Sequence, residues 1–491
     1  MTRLTKLRVL TIGTFLSLTY SNSLQAQTLE QAVKLMLYNE PEIQAANYDR
    51  LSSFEDWKMV RGDLRPQVTL NGSAGVQQRD RSVDGLVTSS GEDLFSRQIG
   101  ISVRQLIYDG GLSKHQTRAA HRGYEVQELV ERSMVEGRVV DLCEVYWEVL
   151  RSREQVREAQ LQVSRQQVLR DMIKERVGNG GNRADLALVN GRLNLAVNSV
   201  DTQQLALENA LIRFVRLTGQ PASNLTRPTL PDLPDAQAGL VLHGNWDYQA
   251  SVAALGAATS KYESVSGNRG PKIYLDAGGS VGQDVLGVEG EDNEARALIV
   301  MSWDLYRGGA NKALQKREHW QVKKAEELVR AAEEQSEYLA SILWKERDGS
   351  LATSRSMEAY VNRLEGVLSD YQEQFKVGKQ DLLSILDVQA ELYTAKTKLI
   401  DAQYNSKTTI YRILGVEGEL TDRMVGEQFV RDYLNHDPDK DEAPESLMAV
   451  KGLPESTEPR ATVSRPEAVP VPIKTDPQPE KKRRKLNPFS K

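Results

Sequence analysis

The sequence predicts an α+β membrane protein in which membrane-crossing strands alternate with very long helices, built from two internal structural repeats. Three observations carry this. A strand ending is written twice: "VRQLIYDGG" (103–111) and "MSWDLYRGG" (301–309) each set a tyrosine two residues ahead of Gly-Gly, 198 positions apart. The stretches that follow, 112–177 and 310–376, contain no proline; at about 1.5 Å per residue a helix of that length spans roughly 100 Å. An N-terminal export signal is followed by no segment apolar enough for a transmembrane helix, so any membrane crossing falls to a β-barrel.

The bulk numbers remove several classes. A chain of 491 residues is too long for one ordinary compact domain. A net charge of −5 gives no case for nucleic acid as a partner. The single cysteine, Cys143, rules out an intrachain disulfide, and with five scattered histidines no protein-built metal site is expected.

The elements follow in order. Residues 1–26 read as a signal peptide: Arg3, Lys6 and Arg8 precede an uncharged run from Val9 to Tyr20, with cleavage after Ala26. That run is short of the ~20 residues a spanning anchor needs, and no cysteine follows the cleavage site to carry a lipid. The first repeat takes 27–222, with a helix over 28–62, a β-hairpin over 66–107, a long helix over 112–177 and a return helix over 183–217. Within the hairpin, Ile99, Ile101 and Val103 alternate with Gln98, Gly100, Ser102 and Arg104, joined to the first strand by a polar loop. A linker covers 223–240. The second repeat takes 241–425, with a helix, a β-hairpin over 271–306, a long helix over 310–376 and a return helix over 380–414. Its strands alternate Ile273, Leu275, Ala277 with Tyr274, Asp276, then Ala297, Ile299, Met301, Trp303, Leu305 with their neighbours.

Anchors in one order tie the halves together. "NEPEIQAA" (39–46) echoes "GNWDYQAS" (244–251), Pro66 falls on Pro271, and Val177-Gly178 falls on Val377-Gly378. From Asp185 onward the offset settles, placing Leu193 on Leu392, Arg213 on Arg412 and Gly219 on Gly418. The halves are far longer than a solenoid repeat. Leu382, Ile385, Val388, Leu392, Ala395 and Leu399 step by three or four, the stripe of helices that pack side by side. From 426 to 491 the chain reads as a Pro- and charge-rich disordered tail. Its basic cluster, 481–485, suits either contact with acidic headgroups or simple solubility.

Motifs that would carry chemistry fail on context. "VGNGG" (177–181) lacks the Lys-Ser/Thr of a phosphate loop and reads as a helix break; "GGSVGQD" (278–284) opens no helix. No nucleophile-elbow sequence occurs. His115 and His121 do not share a helix face, and Cys143 lies on an apolar stripe. No enzyme and no cofactor are expected.

The duplicated plan, the Asn-x-Pro-Glu start at 39–42, the Tyr-Asp-Gly-Gly ending and "VGKQDLLSILDVQAELYTAKTKLIDAQYN" (377–405) together resemble the TolC family of outer-membrane efflux proteins over about residues 28–425. The resemblance implies a homotrimer. Four strands per chain cannot close a barrel, whereas three chains give twelve. It further implies that the helices continue the barrel as a hollow periplasmic tunnel, giving a passive exit duct through the Gram-negative outer membrane for type I protein secretion or for drug and small-molecule efflux. The implied partners are a periplasmic adaptor (membrane fusion) protein, an inner-membrane ABC or RND pump, and outer-membrane lipid.

The family's gate positions fall on Asp185 and Asp387, with Ser384, Gln380 and Phe375 standing where relatives carry an acid, an arginine and a tyrosine. Asp185 equally suits a helix N-cap. Gly110, Gly111, Gly308 and Gly309 are expected to joint barrel and tunnel, and Tyr108, Trp303 and Tyr306 to lie at the membrane interface. The alternative is a pore-less periplasmic coiled-coil scaffold. It would explain the helices and the export, but not the four alternating strands.

Overall fold

The computed structural model describes residues 27–434 apart from 79, 84–85, 91–92, 234–243, 268–269 and 286–288. The signal peptide expected over 1–26, much of the 223–240 linker, and the chain from 435 with its basic cluster lie outside the described residues. Among the described residues no helix is long and apolar enough to cross a membrane.

Helix α1 (Leu29–Asn39) opens with a capping box in which the Thr28 hydroxyl accepts from the Gln31 N–H and the Gln31 side chain accepts from the Thr28 N–H. It gives way at once to α2 (Pro41–Gly62). The one helix expected over 28–62 is therefore two. Pro41 has no N–H with which to continue α1, and it sits at the start of α2, where none is needed. Strands β1 (Gln67–Gln77) and β4 (Leu94–Tyr108) flank a short hairpin of β2 (Asp80–Val83) and β3 (Leu86–Ser90) inside the stretch expected to be a polar loop. The sequence between β2 and β3 is Asp-Gly, the pair favoured in two-residue hairpin turns.

Helices α3 (Leu112–Gly178) and α4 (Arg183–Thr218) complete the first half. The second half runs α5 (Trp246–Gly267), β5 (Lys272–Gln283), β6 (Glu291–Ser302), α6 (Ala310–Lys376) and α7 (Leu382–Glu417). The halves agree in length: α3 and α6 are 67 residues each, α4 and α7 36 each.

The four long strands form one antiparallel sheet in the order β1-β4-β5-β6, so the halves join along β4 and β5 with Ile101 opposite Gly279. The second hairpin, expected to reach residue 306, stops at Ser302, which pairs with Lys272. The residue before Lys272 is Pro271, which has no N–H to extend the ladder. Trp303–Tyr306 thus lie beyond the strand.

The helices form a wall. Near the sheet the neighbours run α2-α3-α5-α6; beyond the midpoint α4 and α7 replace α2 and α5 against α3 and α6. Each return helix is held at its end by an asparagine of its own half. The Asn39 amide donates to Thr218 O at 3.0 Å, and the Asn245 amide to Val416 O at 2.9 Å. The midpoint core is aromatic, with Tyr146, Trp147, Phe214 and Tyr411 all buried. Cys143 is fully buried there as a small apolar side chain, and burial pushes its thiol well above the usual range.

Two short helices strap this midpoint, α8 (Leu420–Val425) and α9 (Glu427–Leu434). Residues 427–434 were expected to begin the disordered tail, and the structure corrects this. Phe429, Val430, Tyr433 and Leu434 are buried, and the Tyr433 hydroxyl donates to Leu37 O at 2.8 Å. Two buried glutamates of α3 anchor the strap. Glu131 takes the Arg50 guanidinium at 2.5 Å, and Arg50 donates in turn to Leu434 O at 2.7 Å. Glu136 accepts from the Leu420 N–H at 2.6 Å, the Thr421 N–H at 3.2 Å and the Thr421 hydroxyl, capping α8 from a neighbouring helix.

Burial pushes the Glu136 carboxyl up to about 7 despite these donors. In the unfolded chain the same group titrates near 4.5, so the native state holds the proton more tightly. Its contribution to stability is full below that value and is lost as pH rises through 7, by about 3 kcal/mol in all. The thermal midpoint of the solubilised protein should therefore fall between pH 5 and pH 8 more steeply in the wild type than in Glu136→Gln. Melting curves across that range check this, and equal slopes in the two proteins would refute it.

Candidate functional site

Two surfaces stand out, the two-faced sheet and the far end of the helix wall. Alternation along all four strands sorts the side chains. Val68, Leu70, Ile99, Ile101, Leu275 and Ile299 share one face, and that face is open: Leu70 is 71% and Ile299 75% exposed. The other face carries Asn71, Ser73, Gln98, Ser102, Ser280 and Glu294. There Asp276 takes the Arg104 guanidinium at 2.9 Å, with that of Arg296 at 3.9 Å, and a cavity of about 260 Å³ lies against Asn71, Gln98 and Ser280. A sheet exposing a polar face and an apolar face of this size suits water on one side and hydrocarbon on the other.

Where strands hand over to helices, Gly110, Gly111, Gly308 and Gly309 all have positive φ, between 59° and 86°. A side chain at any of them would be strained, which accounts for the paired glycines. In the first half Asp109 caps the new helix, its carboxylate accepting from the Gly111 N–H at 3.0 Å and the Ser113 N–H at 2.7 Å. In the second half Arg307 occupies that place and α6 begins without a side-chain cap. Tyr108, Trp303 and Tyr306 stand at this end of the sheet, each more than half exposed.

At the far end α3 turns into α4 and α6 into α7. Phe375, on the last turn of α6, is buried at 5% exposure in a cluster with Ile173, Val189, Leu368 and Leu386. The Arg176 guanidinium lies 4.7 Å from its ring centre, tying the end of α3 to the end of α6. Asp185 lies in the first turn of α4, but the N-cap is Asn182, whose side chain accepts from the Ala184 N–H at 3.0 Å and donates to Asp185 at 3.3 Å. Asp387 is exposed on α7 and meets Arg192 of α4 at 3.3 Å. Ser384 and Gln380 both donate to Asp381, which begins α7; the Ser384 hydroxyl and the neighbouring N–H groups hold its carboxyl below the usual range.

The structure thus groups Gln380 with Ser384, and puts an arginine beside Phe375 and another beside Asp387. Neither a hydrogen bond nor an ion pair joins Asp185 to Asp387. Sequence reasoning passed over Asp381, Arg176 and Arg192. Asp381, three residues before Ser384 at a helix start, carried a readable signal in its N-cap preference. The arginines carried none, because their partners are about 200 and 195 positions away. Among the described residues no group of acidic, histidine or cysteine side chains could hold a metal ion.

The family model described as outer membrane efflux protein matches residues 32–220 and again 238–416, once per half. The chain is 22% identical to the outer membrane efflux protein BepC of Brucella suis over 382 residues, covering 76% of this chain and 81% of that one. It is 20% identical to the outer membrane protein TolC of Vibrio cholerae over 429 residues, 83% of this chain and 94% of that one. Among solved structures, a membrane protein from Pseudomonas aeruginosa superposes with a TM-score of 0.73 at 16% identity, covering 79% of this chain and 90% of that one. At that identity the likeness is one of fold.

The Phe375 ring is the apolar centre of the tip. Phe375→Ala should cost about 3 kcal/mol locally, and hydrogen exchange over residues 370–386 should quicken markedly, whereas Phe375→Leu keeps most of the protection. Equal protection in all three proteins would show that the ring does not hold the tip.

Proposed function

The chain belongs to the outer membrane efflux protein family, and on that premise we propose that three copies form one continuous duct, a twelve-stranded barrel in the outer membrane extended by a helical tunnel through the periplasm. Family membership makes it an outer-membrane efflux channel of Gram-negative type and not an enzyme. The observation that carries the proposal is the sheet. It exposes an apolar face, and its outer strands β1 and β6 have no partner along their free edges among the described residues. Open edges are not tolerated in lipid. The helix wall is unfinished in the same sense: near the sheet its margins α2 and α6 expose Tyr48, Met59, Trp320 and Leu328, and beyond the midpoint its margins α4 and α6 expose Leu195, Leu205, Tyr360 and Val367. Joining β6 of one copy to β1 of the next brings those margins together.

In this reading the duct is passive, and its tip opens when a periplasmic adaptor and an energised inner-membrane ABC or RND pump dock. Asp185, Asp387, Gln380, Ser384 and Phe375 lie at that tip. The Arg192–Asp387 pair is exposed and worth at most about 1 kcal/mol, a latch weak enough for docking to release. Cargo is a secreted protein or a small molecule; the Tyr-Asp-Gly-Gly ending at 108–111 resembles the protein-secreting branch. A pore-less scaffold would leave the apolar sheet face without a purpose.

Purified protein in planar bilayers tests both levels. Asp387→Ala should weaken cation selectivity and relieve block by multivalent cations. Arg192→Ala, which frees the Asp387 carboxylate, should shift selectivity the other way, each by about twofold or more in the permeability ratio. No shift in either variant would remove the pair from the gate. Absence of any conductance after disruption of the tip would sink the duct.

A further inference from the structure

A cavity of about 600 Å³ lies where the helices meet the sheet. Its wall takes in Val60 of α2, Leu112 of α3, Val265 of α5 and Leu314 of α6. In the row α2-α3-α5-α6 the first and last helices are not neighbours. One cavity of this size reaches all four only if the row bends around it, so it lies on the concave side of the wall. Lys272 also lines it, and Lys272 shares a strand face with Asp276, on the polar side of the sheet. The concave side of the helices and the polar face of the sheet are therefore one surface.

The charges on this cavity are unbalanced. Lys261, Lys272, Arg307 and Arg317 line it against only two carboxylates, those of Asp63 and Glu318. Glu318 is buried and already engaged by Arg317. Arg307 lies 3.8 Å from Asp304. Neither the Lys261 nor the Lys272 ammonium makes an ion pair with a described residue. A second cavity of about 450 Å³ shares Lys261, Arg317 and Glu318, extending the cationic surface along α5 and α6.

The difference between the two repeats points the same way. Arg307 stands where the first half places Asp109, so at this joint a guanidinium replaces a capping carboxylate. The first N–H groups of α6 are left without an acidic partner in the first turn, and they add positive potential.

We infer that this crevice binds multivalent anions, solutes bearing several phosphate or carboxylate groups, with Lys261 and Lys272, which no described carboxylate pairs, as the cations that take them. Three copies around the axis of the proposed duct form a cationic belt at the barrel–tunnel joint, which favours anionic cargo after the acidic tip. The belt rests on the duct reading; the binding site itself does not.

Calorimetric titration of the full-length solubilised protein with inorganic tripolyphosphate and, separately, with citrate tests the site. The double variant Lys261→Gln/Lys272→Gln should weaken binding on the order of tenfold, while Lys174→Gln/Lys398→Gln, an equal charge change on exposed positions outside the cavity, should leave it within about twofold. Binding of both probes or of one supports the site and identifies the anionic group it takes. Binding of neither, or equal weakening by the two double variants, overturns it. In planar bilayers the Lys261/Lys272 variant should also shift the reversal potential in a salt gradient toward cations. A conducting pore with an unmoved reversal potential overturns the belt and leaves the duct standing. A wild type that never conducts overturns the duct, and the titration still judges the site.

Discussion

The free edges of β1 and β6 are the constraint on which the rest of the structure depends. Among the described residues each edge strand leaves a row of N–H and C=O groups unpaired, and in hydrocarbon each such group costs several kcal/mol. The apolar face made by Val68, Leu70, Ile99, Leu275 and Ile299 belongs in hydrocarbon. Lipid around that face and unpaired edges beside it are incompatible in a lone chain. The proposed assembly resolves the conflict by closing on itself, since an open array would carry the same edges at its ends.

Closure at the sheet sets terms for the helices. A strand pair that meets its neighbour at one register delivers its helices at one height. The halves respect this: α3 and α6 have equal length, as do α4 and α7. The asparagine clamps on Thr218 O and Val416 O tie each return helix to the chain just ahead of the helix that climbs back to the sheet. The strap of α8 and α9 adds a girdle at the midpoint, where Glu136 and Glu131 bind it through α3. Each device fixes an axial position, which the proposed duct of separate chains would require.

Much of this was legible in the sequence because it rests on local periodicity. Period-two alternation at 97–107, the absence of proline after each Gly-Gly, and the repeated Val-Gly break are properties of contiguous residues. Features that depend on distant partners were not. Phe429, Val430, Tyr433 and Leu434 look like stray apolar residues ahead of a polar tail until α1 and α3 are placed beside them. The end of β6 depends on Pro271, just ahead of the neighbouring strand. At the candidate tip, acidic positions could be named, but Arg192 could not be assigned to Asp387 across 195 positions. Phe375 could be named too, but not its burial beneath Arg176.

The places where the repeats disagree deserve as much weight as those where they agree. At a constant offset, Asp387 corresponds to Leu188 and Arg192 to Glu391. Arg192 nonetheless pairs with Asp387, while Glu391 accepts from the hydroxyl of Tyr360. The tip contacts therefore cross between repeats at Arg192–Asp387 and Arg176–Phe375 and stay within a repeat at Tyr360–Glu391, so the two helix pairs are not equivalent. At the other end Asp109 and Arg307 diverge in the same way, one satisfying its helix and the other adding charge to a cavity. A duplicated scaffold supplies shape, since strand length, helix length and joint are mechanical demands common to both halves. Selectivity needs a particular charge at a particular height, and a strict repeat would write every charge twice. At the joint and the tip, the two ends of the helix wall, the glycines recur in both halves while the charges beside them, Asp109 against Arg307 and Leu188 against Asp387, do not.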